Sequence, residues 1–336
     1  MEYNYKKVET NLIDWEQIEQ SSDSTIYKTQ SWFLYLKKWK NIEPCVIEVY
    51  QDKDLIGFFV GEIVHKVFNI LGSPFEGIGT AHQGLSMLKD VAIEERIEIY
   101  RQLAKWVFKQ RIAVLVQVED WSFAMEDFND KDIHCEPHDG YLIDLSLTEE
   151  ELFHNLHQKS CRYSINKAQK SGVVIRETTD PKKFVEIYYD QLIEVFAKQG
   201  LKPTYDKDCV QALVDALYPQ RMLLLEAITP EGEIAATGLF PGEKNLAVFW
   251  GGASYKKFQK LCPNEPLIWE AIKMWKQRGT KTFDLCGVRQ YKLKFGPVIY
   301  TKPRIIFAKY SFLIFAKQKA KQLYYGFRNF MARFKK

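Results

Sequence analysis

The sequence predicts an α/β chain (α+β in its local ordering) of two similarly built halves, closed by a basic helical tail. Helix and strand signals recur in a matching order in the two halves, and a length of 336 residues suits two domains rather than one. A content of 46% hydrophobic and 27% charged residues is that of an ordinary globular protein, and each half can bury its own core.

In the first half, "DWEQIEQ" and "SWFLYLKKW" read as helices, and "CVIEVYQ", "LIGFFVGEI" and "VFNILG" read as strands. "IEERIEIYRQLAKWVFKQ" predicts a helix of about five turns, followed by the strand "IAVLVQV". A junction is expected near Leu145, because "LSLTEEELFHNLHQKS" carries a Thr148 to Glu151 capping box that starts new helical structure. The strand "VVIRET" comes next, then a helix with Asp180 as N-cap, Pro181 in its first position and Gly200 as its stop. "DKDCVQALVDALY" is a second helix. The strands "RMLLLEAIT", "EIAATGLFP" and "NLAVFWGGA" follow, separated by the turn-like "PEGE" and "GEKN". The helix "EPLIWEAIKMWKQRG", ending at Gly279, and the strand "KTFDLCG" complete the half. From about Ile305 the tail is expected to be helical, with apolar residues at 312, 315, 316, 323, 327, 330 and 331. The expected domains are therefore 1–145, 146–304 and the tail 305–336.

Charge is unevenly distributed. After Asp284 there are 13 Lys or Arg and no acidic residue, whereas the preceding sequence holds 34 basic against 43 acidic residues. Such a run, interleaved with aromatic and aliphatic residues, points to a polyanion or an anionic membrane surface, and a solvated tail would also carry it. A helix lying on lipid headgroups and one packed on its own domain would look alike. Six scattered cysteines without a CxxC pair imply a reducing compartment rather than a disulfide framework. No segment has the apolar length of a signal core or a membrane span, so a cytoplasmic location is expected, with peripheral contact at the inner membrane face through the tail.

Several familiar chemistries find no support. "HCEPH" has no second ligand pair at a zinc spacing, so no metal site is expected. "LGSPFEGIGTAHQG" lacks the lysine of a P-loop and reads as a loop over a substrate cleft between the halves. There is no GxSxG, and no cysteine stands out as a nucleophile.

The order of elements resembles the GNAT acyltransferase fold, used twice. The stretches "SCRYSINKAQKSGVVI", "VFWGGAS", "PNEPLIWEAIKMWKQRGTKTFDLCGV" and "YKLKFG" are similar to the Fem family of peptidoglycan bridge-forming aminoacyltransferases and to the related GNAT-type acyltransferases of envelope polysaccharide clusters. The likeness covers nearly all of the second half; in the first, only "TQSWFLYLKKW" and the strand pattern carry it. The resemblance implies two tandem GNAT-like domains and an acyltransferase that moves an aminoacyl or acyl group onto an amine of an envelope precursor. Its motif of aromatic, Lys, two residues and Phe falls on Tyr291, Lys292 and Phe295, and implies that Lys292 stabilises the negative charge formed when an amine attacks an acyl carbon. Bridge-forming enzymes that embrace transfer RNA often insert a coiled-coil arm between second-half helices; here the chain runs from Gly200 to Tyr205 without room for one.

Acyl transfer to an amine requires placement of a neutral nucleophile and stabilisation of an oxyanion, and a cation such as Lys292 can supply the second. Asp284, at a strand end before a glycine, can accept an amine proton or orient Lys292 if exposed, or can serve as a strand-end cap or salt-bridge partner. Glu270 can serve similarly or simply occupy a polar helix face. Arg162 and Lys167, on a short basic helix, can hold a phosphate of the donor or acceptor. Trp250 and Tyr255 flank "GGAS", where backbone N–H groups can approach a ligand, although a strand Trp more commonly packs a core. The span "GGASYKKFQKLCPNEP" lacks the glycine loop that ordinarily holds coenzyme A pyrophosphate, so the donor is left as aminoacyl-tRNA or acetyl-CoA, with no permanently bound cofactor. The expected partners are thus an anionic acyl donor (charged tRNA or CoA thioester) and an envelope-precursor acceptor, with no DNA. Two other readings share these features: acetyl-CoA-dependent N-acetylation in polysaccharide biosynthesis, and a non-enzymatic RNA or membrane-surface adaptor.

Overall fold

The computed structural model describes residues 2–128 and 133–333. The first half runs through β1 (Tyr3–Lys7), α1 (Trp15–Gln20), α2 (Gln30–Lys40), β2 (Pro44–Gln51), β3 (Asp54–His65), β4 (Asn69–Ser73), β5 (Gly84–Met87), α3 (Ile93–Lys109), β6 (Leu115–Val118) and β7 (His134–Asp144). The second continues with α4 (Glu149–Asn155), α5 (Tyr163–Lys170), β8 (Val174–Glu177), α6 (Pro181–Ala197), α7 (Lys207–Leu217), β9 (Met222–Ile228) and β10 (Ile234–Pro241). It ends with β11 (Leu246–Val248), β12 (Gly251–Ser254), α8 (Asn264–Gln277), β13 (Thr282–Asp284), β14 (Val298–Ala308) and α9 (Phe312–Arg333). Most of these match the sequence reading. Three parts do not: the tail expected to be helical from Ile305 is still strand to Ala308, "NLAVFWGGA" is two strands rather than one, and the strands β1, β5 and β7 were not anticipated.

Contacts divide the chain into two compact units that do not follow its linear order. The first holds Met1–Asp14, Glu43–Pro137 and Lys302–Lys336; the second holds Trp15–Ile42 and His138–Thr301.

In the first unit, β1, β2, β3 and β4 pair antiparallel in succession, with β5 also on β3. β4 and β6 run parallel, from Ile70 opposite Leu115 to Ser73 opposite Val118. The far edge of β6 is covered antiparallel by the C-terminal strand, Ile305 opposite Val118 to Ala308 opposite Leu115. α3 packs on this sheet through Ile97, Tyr100, Leu103, Ala104 and Val107, a spacing of three and four that places them on one helical face. One polar group is built into this core. Arg96 Nη1 lies 2.6 Å from Asp120 Oδ2, the same oxygen accepts from Tyr100 Oη at 2.5 Å, and Tyr100 Oη accepts from the Leu85 amide at 2.8 Å.

The second unit has two sheets. In one, β13 runs antiparallel to β7, with Asp284 opposite Leu142, and parallel to β11, with Val248 opposite Asp284. In the other, β12, β10, β9 and β8 are antiparallel neighbours. Both cover one apolar cluster that includes Phe240, Phe249, Trp269, Trp275 and Phe283. Residues 15–42 join this unit: α2 lies on α7, where Tyr35 Oη is 3.5 Å from Cys209 Sγ and Lys38 pairs with Asp215. Arg221 binds Glu19 at 2.5 Å and Glu243 at 2.8 Å from the same guanidinium. The helix caps expected from the sequence are present, with Asp180 accepting from the Lys182 and Lys183 amides and Thr148 and Glu151 closing a capping box.

Each unit thus contains a parallel strand pair whose later strand has an antiparallel neighbour on its far side, β14 on β6 and β7 on β13, in keeping with the duplication the element order implied. In each, the strand before the helix divides: β4 and β5 in the first unit, β11 and β12 in the second. Residues 74–83 separate the pieces in the first unit, but only Phe249 and Trp250 do so in the second.

Candidate active site

The division of the strand creates the site in the second unit. The Phe249 amide donates to the Asp284 carbonyl at 2.8 Å, and the next amide, Trp250, donates to Leu239 at 3.2 Å. Consecutive residues therefore bond to different sheets, and beyond them β12 and the turn after β13 part company. Asp284 Oδ1 accepts from the Cys286 amide at 2.7 Å and fixes that turn. The carboxyl group anticipated as an exposed acid or base is only 3% exposed, because it caps its own strand end.

Lys292 reaches back to this turn. It lies in the 3₁₀ helix Gln290–Phe295, not on a strand, and is 7% exposed. Its Nζ donates to Leu285 O at 2.6 Å and to Cys286 O, and stands 5.4 Å from the centre of the Phe249 ring. An ammonium has three donors, so two anchored N–H groups hold the third in a fixed direction. Burial lowers the Lys292 pKa from its usual lysine value, while Cys286 and Asp284 push it back up. Behind the turn, the Tyr27 hydroxyl is hydrogen-bonded to the Cys286 thiol, and burial raises both groups well above their usual values. This thiol is protonated and unsuited to nucleophilic attack.

The 3₁₀ helix is itself held from below. Phe295 is buried in the apolar cluster, and Lys294 Nζ binds Glu265 Oε1 at 2.5 Å. The Lys294 carbonyl accepts from the His157 amide at 2.9 Å, at the start of the π-helical turn Gln158–Arg162. Gly296 closes the helix at φ 70°, and a Cβ there would stand 2.4 Å from the Asn155 carbonyl oxygen. Arg162 lies on the π-turn with its Nε buried and without a hydrogen-bond partner among the described residues. Tyr291 is exposed beside Lys292, its ring centre 5.8 Å from Nζ.

Bonds and ring contacts thus connect Lys292, Asp284, Tyr291 and Phe295, and the packing of the π-turn adds Arg162. The remaining candidates lie elsewhere in the same unit. Trp250 packs 4.9 Å from Tyr205, which also lines an open groove of about 760 Å³ with Trp39, Tyr189, Leu201 and Pro203. Tyr255 donates to Asp190 Oδ2 at 2.7 Å, and Glu270 pairs with Lys273 at 2.8 Å. Lys167 is half-buried on α5. Three contributors to the Lys292 environment were missed from the sequence. Phe249 and Cys286 stand inside the stretches "VFWGGAS" and "FDLCG", whereas Tyr27, more than 250 residues away, carries no local signal.

Residues 156–293, which include Arg162, Phe249, Asp284, Cys286 and Lys292, match the family model of the acetyltransferase (GNAT) domain. Over this span the chain is similar to a GNAT acetyltransferase domain. Among solved structures, FemX shares the fold at a TM-score of 0.70 and 12% identity, over 90% of this chain and 97% of FemX. A conserved protein of unknown function from Bacteroides thetaiotaomicron aligns at 0.55 and 11% identity, over 91% and 99% of the two chains. L-PGS from Bacillus licheniformis aligns at 0.52 and 13%, over 88% and 90%. At these identities the likeness is one of fold. Comparison with curated protein sequences finds no match. The fold is Fem-like, and the match to the GNAT domain supports an acyltransferase enzyme.

Proposed function

We propose that this enzyme transfers an aminoacyl group from charged tRNA to an amine of a cell-envelope precursor. The observation that carries this reading is the anchored ammonium of Lys292 at the point where the two sheets part. As the acceptor amine adds to the acyl carbon, the carbonyl oxygen gains negative charge, and the third N–H of Lys292 stabilises it. The intermediate then collapses: the N–C bond stays, the bond to the ribose oxygen breaks, and the leaving hydroxyl takes up a proton equivalent to that shed by the amine. Asp284 acts as a positioning residue, since it shapes the turn whose carbonyls hold Lys292 and adds negative charge beside it. Arg162 supplies a fixed positive charge for a phosphate of donor or acceptor.

The match to an acetyltransferase domain supports a second reading, with acetyl-CoA as donor and an amino sugar as acceptor. The start of α8 argues against it. In that first turn, where free amides favour a pyrophosphate, Glu265 already brings a carboxylate, paired with Lys294.

Purified enzyme should be incubated with acceptor precursors and either radiolabelled aminoacyl-tRNA or radiolabelled acetyl-CoA. Label is expected to pass from the tRNA and not from the thioester. Lys292→Ala should lower kcat by roughly 100- to 1,000-fold, the usual effect of losing an oxyanion donor. Transfer from acetyl-CoA alone would replace the donor assignment, and full activity of Lys292→Ala would remove its catalytic role.

A further inference from the structure

The C-terminal helix has two opposite faces with different partners. One face is docked on the first unit: Leu313 is buried, Lys317 Nζ donates to Gln117 Oε1 at 2.8 Å, and Lys321 Nζ binds Glu76 at 2.7 Å. These lysines, which the basic run offered as ligands for an outside polyanion, are therefore engaged internally. The other face is apolar and exposed. Phe312 is 64% exposed, Phe315 62% and Leu323 74%, and Tyr310 stacks on Phe312 with ring centres 6.0 Å apart. At roughly 100° per residue, Phe312, Phe315, Lys319 and Leu323 fall within about 80° of one another, on the side away from Leu313, Lys317 and Lys321.

An exposed aromatic stripe of this size needs an occupant. Its charge indicates which. Lys319 stands 5.5 Å from the Phe315 ring and Lys309 5.7 Å from the Tyr310 ring, so cations frame the apolar residues. The sequence after Leu323 adds four basic residues and no acidic one. Aromatic side chains flanked by lysines on one face of a surface helix match the interface of an anionic bilayer, where rings enter the headgroup region and lysines meet lipid phosphates. Among the described residues no helix is long and apolar enough to cross a membrane, so the contact would be peripheral.

We propose that the face of α9 bearing Phe312, Phe315, Lys319 and Leu323, with Tyr310 just before the helix, docks on an anionic lipid surface while the opposite face holds the helix to the first unit. The full chain should co-sediment with vesicles containing 30% phosphatidylglycerol and much less with pure phosphatidylcholine. Phe312→Ser with Phe315→Ser keeps every charge and should weaken binding about tenfold or more, the order expected for two lost ring insertions. Lys309→Gln with Lys319→Gln should weaken it several-fold and reduce its salt dependence. Because these side chains are exposed, circular dichroism and Tm should be unchanged, which separates lost docking from lost folding. Three results would overturn the proposal: failure of the full chain to bind the anionic vesicles, equal binding by the double Phe variant, or concentration-dependent dimerisation that the double Phe variant abolishes, which would assign the stripe to a second copy of the chain.

Discussion

Replacing Glu62 by Gln should free the first unit from a pH dependence built into its core. Glu62 is fully buried on β3; its Oε1 accepts from the Phe75 amide and its Oε2 has no hydrogen-bond partner among the described residues. Desolvation is the largest influence and lifts its pKa from 4.5 to about 8, against hydrogen bonds from Phe75 and Gln83. A raised folded-state pKa means that the folded protein binds the proton more tightly, so stability falls as pH rises between the two values and the loss is complete above about 8. Each tenfold change in proton affinity is worth about 1.4 kcal/mol, which puts the full penalty on the ionised form at roughly 5 kcal/mol, less whatever relaxation recovers. Domains are stable by about 5–15 kcal/mol, so the effect is a large fraction of the total. Gln keeps an acceptor for the Phe75 amide and cannot ionise. Thermal melts of both proteins at pH 5 to 9 should show Glu62→Gln close to wild type at pH 5 and several degrees more stable at pH 9. If the two curves stay parallel across this range, Glu62 is not a buried acid of raised pKa and the reasoning fails.

Gly296→Ala should cost about 2 kcal/mol or more, since it combines a left-handed backbone with a clash on Asn155, and should lower activity because Gly296 closes the turn carrying Lys292; an unchanged Tm would contradict this. Asp120→Asn should destabilise by about 3 kcal/mol by removing one side of the buried Arg96–Asp120 ion pair, and adding Arg96→Met should restore part of the loss in denaturant melts. Brief iodoacetamide treatment of the native enzyme, read by mass spectrometry, should label Cys262 first, because burial raises the thiol pKa of Cys45, Cys135, Cys161, Cys209 and Cys286.

What could be read in the sequence was what local chemistry dictates. The Asp180–Pro181 start, the Thr148–Glu151 box and the helix α3 of about five turns all involve neighbours in the chain, and each formed as expected. The misreading of Ile305–Ala308 has a physical cause: a short apolar run fits a buried strand and a helix equally well, and only its pairing with β6 decides. β7 was hidden because "HCEPHDGYLID" carries Pro137 and Gly140, residues that argue against a strand. At the site, the motif singled out Lys292 but carried no sign of its anchoring, because the two carbonyls it binds come from a turn whose geometry depends on Asp284. The membership of residues 15–42 in the second unit, and so the presence of Tyr27 behind the Lys292 turn, depends on contacts such as Arg221 with Glu19 that span about 200 positions.

The strand that covers β6 has a consequence for biosynthesis. Val118 and its partner Ile305 are separated by roughly 190 residues, which at 5–20 residues per second means about 10–40 s of translation. Throughout that interval the first half to be made has an open strand edge, a template for pairing with another nascent chain. A premature stop shortly before Ile305 would therefore remove more than a tail, because it would deprive the earliest-synthesised sheet of its last strand. The late strand β14 determines when the edge of β6 is closed to such pairing.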